Sequence, residues 1–262
     1  MRQLSRYMFL YIMIIGLSLI FGCTDNSEST ITPIVINGGS NVTSMNETDI
    51  NMVAEVDQTV TVRLVNPLTN AGVAGLNIQL ESQPSGMGAT IEGVTGIDGS
   101  TAVGAAFDTA YRISVQGEGY PTHHIVGELG DVPVTQISFV SDHMLMMQVF
   151  SALGLMPQPD KGTVVVGLDK VDLSPAIGAS AELNTTYDQA FVLGSFGPSR
   201  GQTIQMGNGG FVSFANVEPG QIPVIVTPPS GSQCKVFPAE QNQRVEIPVF
   251  AGEVSVVAFT CR

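Results

Sequence analysis

The chain has 262 residues and carries 10 Lys and Arg against 23 Asp and Glu, a formal net charge of −13. That balance makes nucleic acid and anionic lipid poor surface partners, because such a surface displaces few phosphate counterions. Only 13% of residues are charged, with 29 Gly, 15 Pro and no Trp, which favours short strands joined by turns over amphipathic helices.

Arg2 and Arg6 precede an uncharged run from Tyr7 to Gly22 that stops at Cys23. A basic start, a short apolar core and a small residue at the cut describe an export signal over residues 1–22. The run is shorter than the ~18 apolar residues expected of a spanning helix. Ile20-Phe21-Gly22-Cys23 resembles a bacterial lipobox. The resemblance implies that Cys23 is lipidated, with palmitate among the acyl chains, and becomes the new N-terminus. It also implies export and anchorage in a bacterial cell envelope, and Thr24 after the cysteine fits sorting to the outer membrane. Without Arg2 and Arg6 the mature chain would hold 8 basic and 23 acidic side chains, a net charge near −15. Membrane contact must then come from the acyl chains, at ~0.8 kcal/mol per buried methylene.

Residues 23–50 are mostly Ser, Thr, Asn, Asp and Gly and read as a polar tether. Ile31 to Ile36 could already be an edge strand, so the first domain begins at 51 or as early as 31. From Thr59 the pattern turns to period two. Val60, Val62 and Leu64, then Leu76, Ile78 and Leu80, then Tyr111, Ile113 and Val115 alternate with polar residues. Each run therefore has one buried and one wet face. Asn66-Pro67, Asn70-Ala71-Gly72, Pro84-Ser85-Gly86 and Asp98-Gly99 supply turns between them. Residues 51–141 read as a first β-sandwich domain.

Residues 142–156 break the rhythm. Asp142 can cap a helix, Met, Leu, Gln and Ala propagate it, and Pro157 and Pro159 stop it. Apolar residues lie on nearly every side, so this helix is expected to be buried on most faces between two domains. Residues 142–161 thus form the connection.

Strand rhythm returns over 162–262, a second sandwich domain with runs at 163–168, 179–183, 190–196, 211–215, 222–227, 245–250 and 254–259. Pro223 and Pro248 cannot donate to a ladder, which places their strands at edges or bulges. With Cys23 lipidated, Cys234 and Cys261 remain as the one possible pair in an oxidising compartment, and a disulfide is favoured over two buried thiols. The halves also rhyme: Gly75-Leu76 corresponds to Gly178-Ala179, and Asp98-Gly99 to Gly209-Gly210, a domain-sized duplication signal.

Gly178-Ala179 and the run Asn208-Gly209-Gly210-Phe211-Val212-Ser213-Phe214-Ala215-Asn216-Val217-Glu218-Pro219-Gly220 resemble carboxypeptidase regulatory-like domains. These are prealbumin-like sandwiches in which a glycine turn and a Pro-Gly turn bracket a hairpin strand. Residues 59–120 are similar to that family or to bacterial Ig-like repeats. The resemblance implies binding, adhesion or spacing, and it transfers no catalytic residue. The expected fold is all-β, two Ig-like or prealbumin-like β-sandwich domains joined by one short α-helix.

Motifs with chemical meaning are few. Gly197-Pro198-Ser199-Arg200-Gly201 matches the hydrolase elbow G-x-S-x-G, but a strand-like run follows and no histidine lies beyond His143. A Gly/Pro turn is the better reading. His123 and His124 superficially resemble the iron ligands of intradiol dioxygenases, yet adjacent residues on a strand face opposite ways and cannot share a metal. His143, Met144, Met146 and Met147 form a minor copper-handling candidate, set against ordinary packing of a Met-rich helix. No cofactor is expected. The sequence points to a non-enzymatic, lipid-anchored envelope protein serving binding, adhesion or structure, with a protein or polysaccharide partner. The alternative is an accessory subunit of an envelope carbohydrate- or peptide-processing or transport complex.

Overall fold

Runs in which β-branched and aromatic residues alternate with polar ones fold as strands, and Gly, Pro and Asn close them. The computed structural model describes residues 58–82, 91–105, 110–128, 134–194, 197–237 and 243–262. The expected leader, Cys23 and the tether over 23–50 lie outside the described residues. In chain order the elements are β1 (Gln58–Val65), β2 (Asn77–Ser82), β3 (Ile91–Val94), β4 (Ser100–Ala105), β5 (Ala110–Gln116), β6 (His123–Glu128) and β7 (Val134–Phe139). Helix α1 (His143–Ala152) follows. Then come β8 (Gly162–Lys170), β9 (Ser180–Leu183), β10 (Gln189–Gly194), β11 (Gly197–Arg200), β12 (Asn208–Val217), β13 (Gly220–Thr227), β14 (Cys234–Val236), β15 (Val245–Val249) and β16 (Val254–Cys261). The fold is all-β with one short helix among the described residues.

Two small sheets, ordered β4-β1-β7 and β15-β13-β9, flank one long sheet ordered β11-β10-β12-β8-β16-β6-β5-β2-β3. The same topology occurs twice. β4-β1-β7 matches β12-β8-β16, each with one antiparallel and one parallel pairing. β2-β5-β6 matches β9-β13-β15, antiparallel throughout. Gly75-Leu76 and Gly178-Ala179 lead into the corresponding strands β2 and β9, Asp98-Gly99 turns into β4, and Gly209-Gly210 lies at the start of β12.

The long sheet exists because the two motifs fuse edge to edge. Val254–Val257 of β16 runs parallel to His123–Val126 of β6. Past the end of that ladder the same edge of β16 pairs with β14. Alternation then assigns neighbouring residues to different cores. Ile125, Val254 and Val256 join a first core with Val60, Val62 and Ile113, whereas Val126, Val257 and Phe259 join a second core with Val166, Phe214 and Ile247. The small sheets therefore cover opposite faces of the long sheet at opposite ends. Each buried Val, Ile, Leu or Phe contributes about 1.5–3 kcal/mol. Within the first core Tyr111 donates to Gln136 Oε1 at 2.5 Å, bridging the two sheets. Gly127 leaves room for that ring, since a Cβ there would lie 2.5 Å from the Tyr111 hydroxyl.

Three expectations need correction. The helix is not buried on most faces: Leu145 and Phe150 are buried, but Met144 and Met147 remain 67% and 50% exposed. It packs by one side only, Phe150 and Leu153 meeting Phe191 and Ala215 on the outer face of β10 and β12. Its first turn is capped by Asp142, whose Oδ1 accepts from Leu145 N at 2.7 Å. Strand β13 is central, not an edge, despite Pro223. Its first half pairs with β15 and its second half, from Val224, with β9, so Pro223 lies where just one neighbour runs alongside. Finally, β12 and β13 are not a hairpin, because Pro219-Gly220 carries the chain from the long sheet into a small one.

Candidate functional site

The face of the long sheet opposite the first core bears polar residues at β3, β2, β5 and β6. Glu92, Gln79, Ser114, His124 and Ser255 stand in direct register across five neighbouring strands. A parallel row holds Val94, Asn77 and Gln116. The outer part of these rows lines an open hollow of ≈ 370 Å³ formed by Asn77, Gln79, Glu92, Val94, Ser114 and Gln116. Strand alternation explains the polarity: Ile78, Leu80, Ile113 and Val115 occupy the first core, so their neighbours must face outward.

At its inner end the row meets the turn between β15 and β16. His124 Nδ1 lies 3.3 Å from Ser114 Oγ, and His124 Nε2 lies 2.5 Å from Glu253 Oε2. Phe250 packs on His124 with ring centroids 4.5 Å apart, and Arg112 lies 5.7 Å from the centre of the same ring. Ser255 Oγ donates to Pro248 O at 2.5 Å. Ser114, His124 and Glu253 thus follow the order nucleophile, base and orienter. β5 is paired on both edges at Ser114, so its own N–H groups are committed to the ladders. The chain of hydrogen bonds locks the seam between the two sandwiches.

His123 points the other way, as strand geometry requires. It is 1% exposed, its Nδ1 donates to Pro121 O at 2.8 Å, and its Nε2 accepts from Ser141 N at 3.2 Å. Burial lowers its pKa to about 4, so the ring is neutral. The helix candidates diverge. Met146 packs toward the first core and the helix cluster, while His143, Met144 and Met147 face solvent. Among the described residues no group of three His, Cys, Asp or Glu is placed to hold a metal ion.

Cys234 and Cys261 are disulfide-bonded, directly opposite each other in the β14–β16 ladder. The G-x-S-x-G run is edge strand β11, paired to β10, so the turn expected there is a strand. Residues 185–187 form a loop, and the described part of 195–202 is largely strand β11. Asn216, quoted above only as part of a pattern, adopts a left-handed φ of 54° at a β12 irregularity. Its amide donates to Met156 O and Asp188 Oδ2 and accepts from Gln158 N, pinning the segment after α1 to the sheet. Asp169 on β8 is held up to a pKa of about 7 by burial. Gly210 makes its space, since a Cβ there would fall 1.8 Å from Asp169 Oδ1. Neither the polar row nor the Glu253 contact was visible in the sequence. A faint signal was Gln79, Ser114 and Gln116 standing at wet positions of strands where charge is commoner.

No family model matches the chain, and no curated protein matches it. Among solved structures, the Bacillus anthracis TIE protein is 10% identical with a TM-score of 0.27, over 78% of this chain and 34% of that one. The minor pilin GBS52 of Streptococcus agalactiae gives 10% identity and 0.25, over 78% and 95%. A streptococcal ancillary pilin gives 14% and 0.28, over 78% and 62%. The chain spans about a third of the TIE protein. No helix among the described residues is long and apolar enough to cross a membrane.

Proposed function

We propose that the chain is a non-enzymatic, lipid-anchored protein of the bacterial cell envelope, acting as a binding, adhesion or structural module. One observation carries the reading: β6 and β16 weld two sandwiches into a single sheet, backed by the His124–Glu253 contact. Such a weld resists hinge motion between the halves, which suits a spacer or a rigid presenting surface. The outward polar face over β3, β2 and β5 is the surface so presented. Anchorage rests on the lipobox-like residues ending in Cys23.

Metabolic labelling with a fatty acid tests this reading directly. The native protein should take up label and fractionate with membranes, and Cys23→Ala should do neither. Label-free native protein would remove the anchorage. A membrane pull-down that recovers a stoichiometric hydrolase or transporter would replace the self-standing module with the accessory role.

A further inference from the structure

We propose that the hollow over β3, β2 and β5 binds a neutral glycan, held chiefly by Asn77, Gln79 and Gln116. The inference deepens the binding-module reading and rests on it. Three amide side chains converge there with the Glu92 carboxylate and the Ser114 hydroxyl. Asn77, Glu92 and Gln116 are exposed and Gln79 is half-buried, so all four can reach a ligand. Each amide offers two donors and an acceptor, the mixed pattern that vicinal hydroxyl groups satisfy. The ≈ 370 Å³ hollow lies within the range of small-ligand clefts, roughly 300–1,000 Å³.

Charge selects among occupants. The lining holds one acid and no base, on a chain of net charge −13, so an anionic polymer is repelled. A cationic peptide would have one carboxylate to meet. A protein partner would need apolar or aromatic anchors, and Val94 is the exposed apolar side chain of the lining. Neutral polyhydroxylated chains need neither.

Geometry favours a chain lying across the strands. Neighbouring strands are spaced ~4.8 Å apart, close to the length of one pyranose along its polymer, so each sugar meets a fresh polar residue. Glu92, Gln79 and Ser114 supply such a series in direct register. The inner end of the row is fixed by Ser114–His124–Glu253, so little side-chain freedom is lost there when the floor is occupied.

The test is affinity electrophoresis of the purified full-length chain in detergent, through native gels containing soluble neutral glucan, mannan or galactan. The wild type should be retarded in at least one of them relative to a plain gel. Gln79→Ala with Gln116→Ala should weaken that retardation about tenfold, the loss of roughly 1.4 kcal/mol. Gln205→Ala, exposed in a distant loop, should leave it unchanged, and melting curves should show both variants folded. No retardation of the wild type in any gel overturns the site. So does equal retardation of the double variant. Normal fatty-acid labelling with no glycan retention sinks this inference alone, whereas retention by a label-free protein sinks the anchorage and leaves the site standing.

Discussion

His124 and Glu253 meet at 2.5 Å although 129 residues separate them in the chain. One belongs to β6 of the first motif and the other to the turn that opens β16 of the second. Their contact closes over a ladder in which His124 already pairs with Ser255. A side-chain bond therefore reinforces a backbone weld, and both act at the boundary between two cores.

Glu253→Ala leaves the buried His124 ring with one partner fewer. The expected loss is about 1–3 kcal/mol, the cost of an under-satisfied polar group, read by urea denaturation. The residue is partly exposed, so a value near the lower end is expected. No change in midpoint would reduce the contact to decoration.

Sharing of β16 makes a stronger claim about cooperativity. Phe259 is 1% exposed in the second core, and Phe259→Ala should cost about 3–5 kcal/mol. Because Val254 and Val256 on the same strand belong to the first core, amide-exchange protection in β5 and β6 should fall too. Loss confined to β8, β12 and β16 would mean that the two cores open independently.

The sequence made some strands plain and hid others for identifiable reasons. β1, β2 and β5 alternate because one face is wet. In β6, five of six residues are buried, so His-His-Ile-Val-Gly-Glu shows no period. β11, Gly-Pro-Ser-Arg, has neither apolar content nor strand formers and is held by pairing with β10. Pro223 is tolerated in a central strand because β13 is staggered between its neighbours and is not flanked on both sides along its length. Parallel pairing of β6 with β16 joins remote segments without any local mark. The polar row had no chance of being seen, since its members come from five strands and acquire meaning only through register. The Cys234–Cys261 pair was legible because compartment and count leave few choices.

That bond closes a loop with a sequence separation of 27. Chain entropy gives about 3.5 kcal/mol for a loop of this size. Replacing both cysteines by serine should lower stability by that order, with unfolding followed by circular dichroism. Thiol labelling of the denatured, unreduced protein should find neither Cys234 nor Cys261 free. Full labelling of both would remove the cross-link from the native chain.

Two titrating groups, buried His123 and half-buried Asp169, set opposing pH slopes. Asp169 has its pKa raised from 3.8 to about 7, so between those values the folded state keeps a proton that the unfolded state has released. Its contribution falls as pH rises through that window, and the penalty is complete above about 7, at most about 4 kcal/mol. His123 has its pKa lowered from 6.5 to about 4, so in that interval the unfolded state holds the extra proton. Its contribution falls as pH drops from 6.5, and the penalty is complete below about 4. Between pH 4 and 6.5 the two slopes oppose each other, and the wild type should show a shallow profile there. Asp169→Asn should steepen the loss toward acid and raise stability near pH 8 relative to the wild type. His123→Gln costs packing at every pH, but it should leave a profile that declines steadily from acid to neutral. Urea midpoints taken from about pH 4 to 8 separate slope from offset. Parallel profiles for all three proteins would show that neither group changes its protonation on folding.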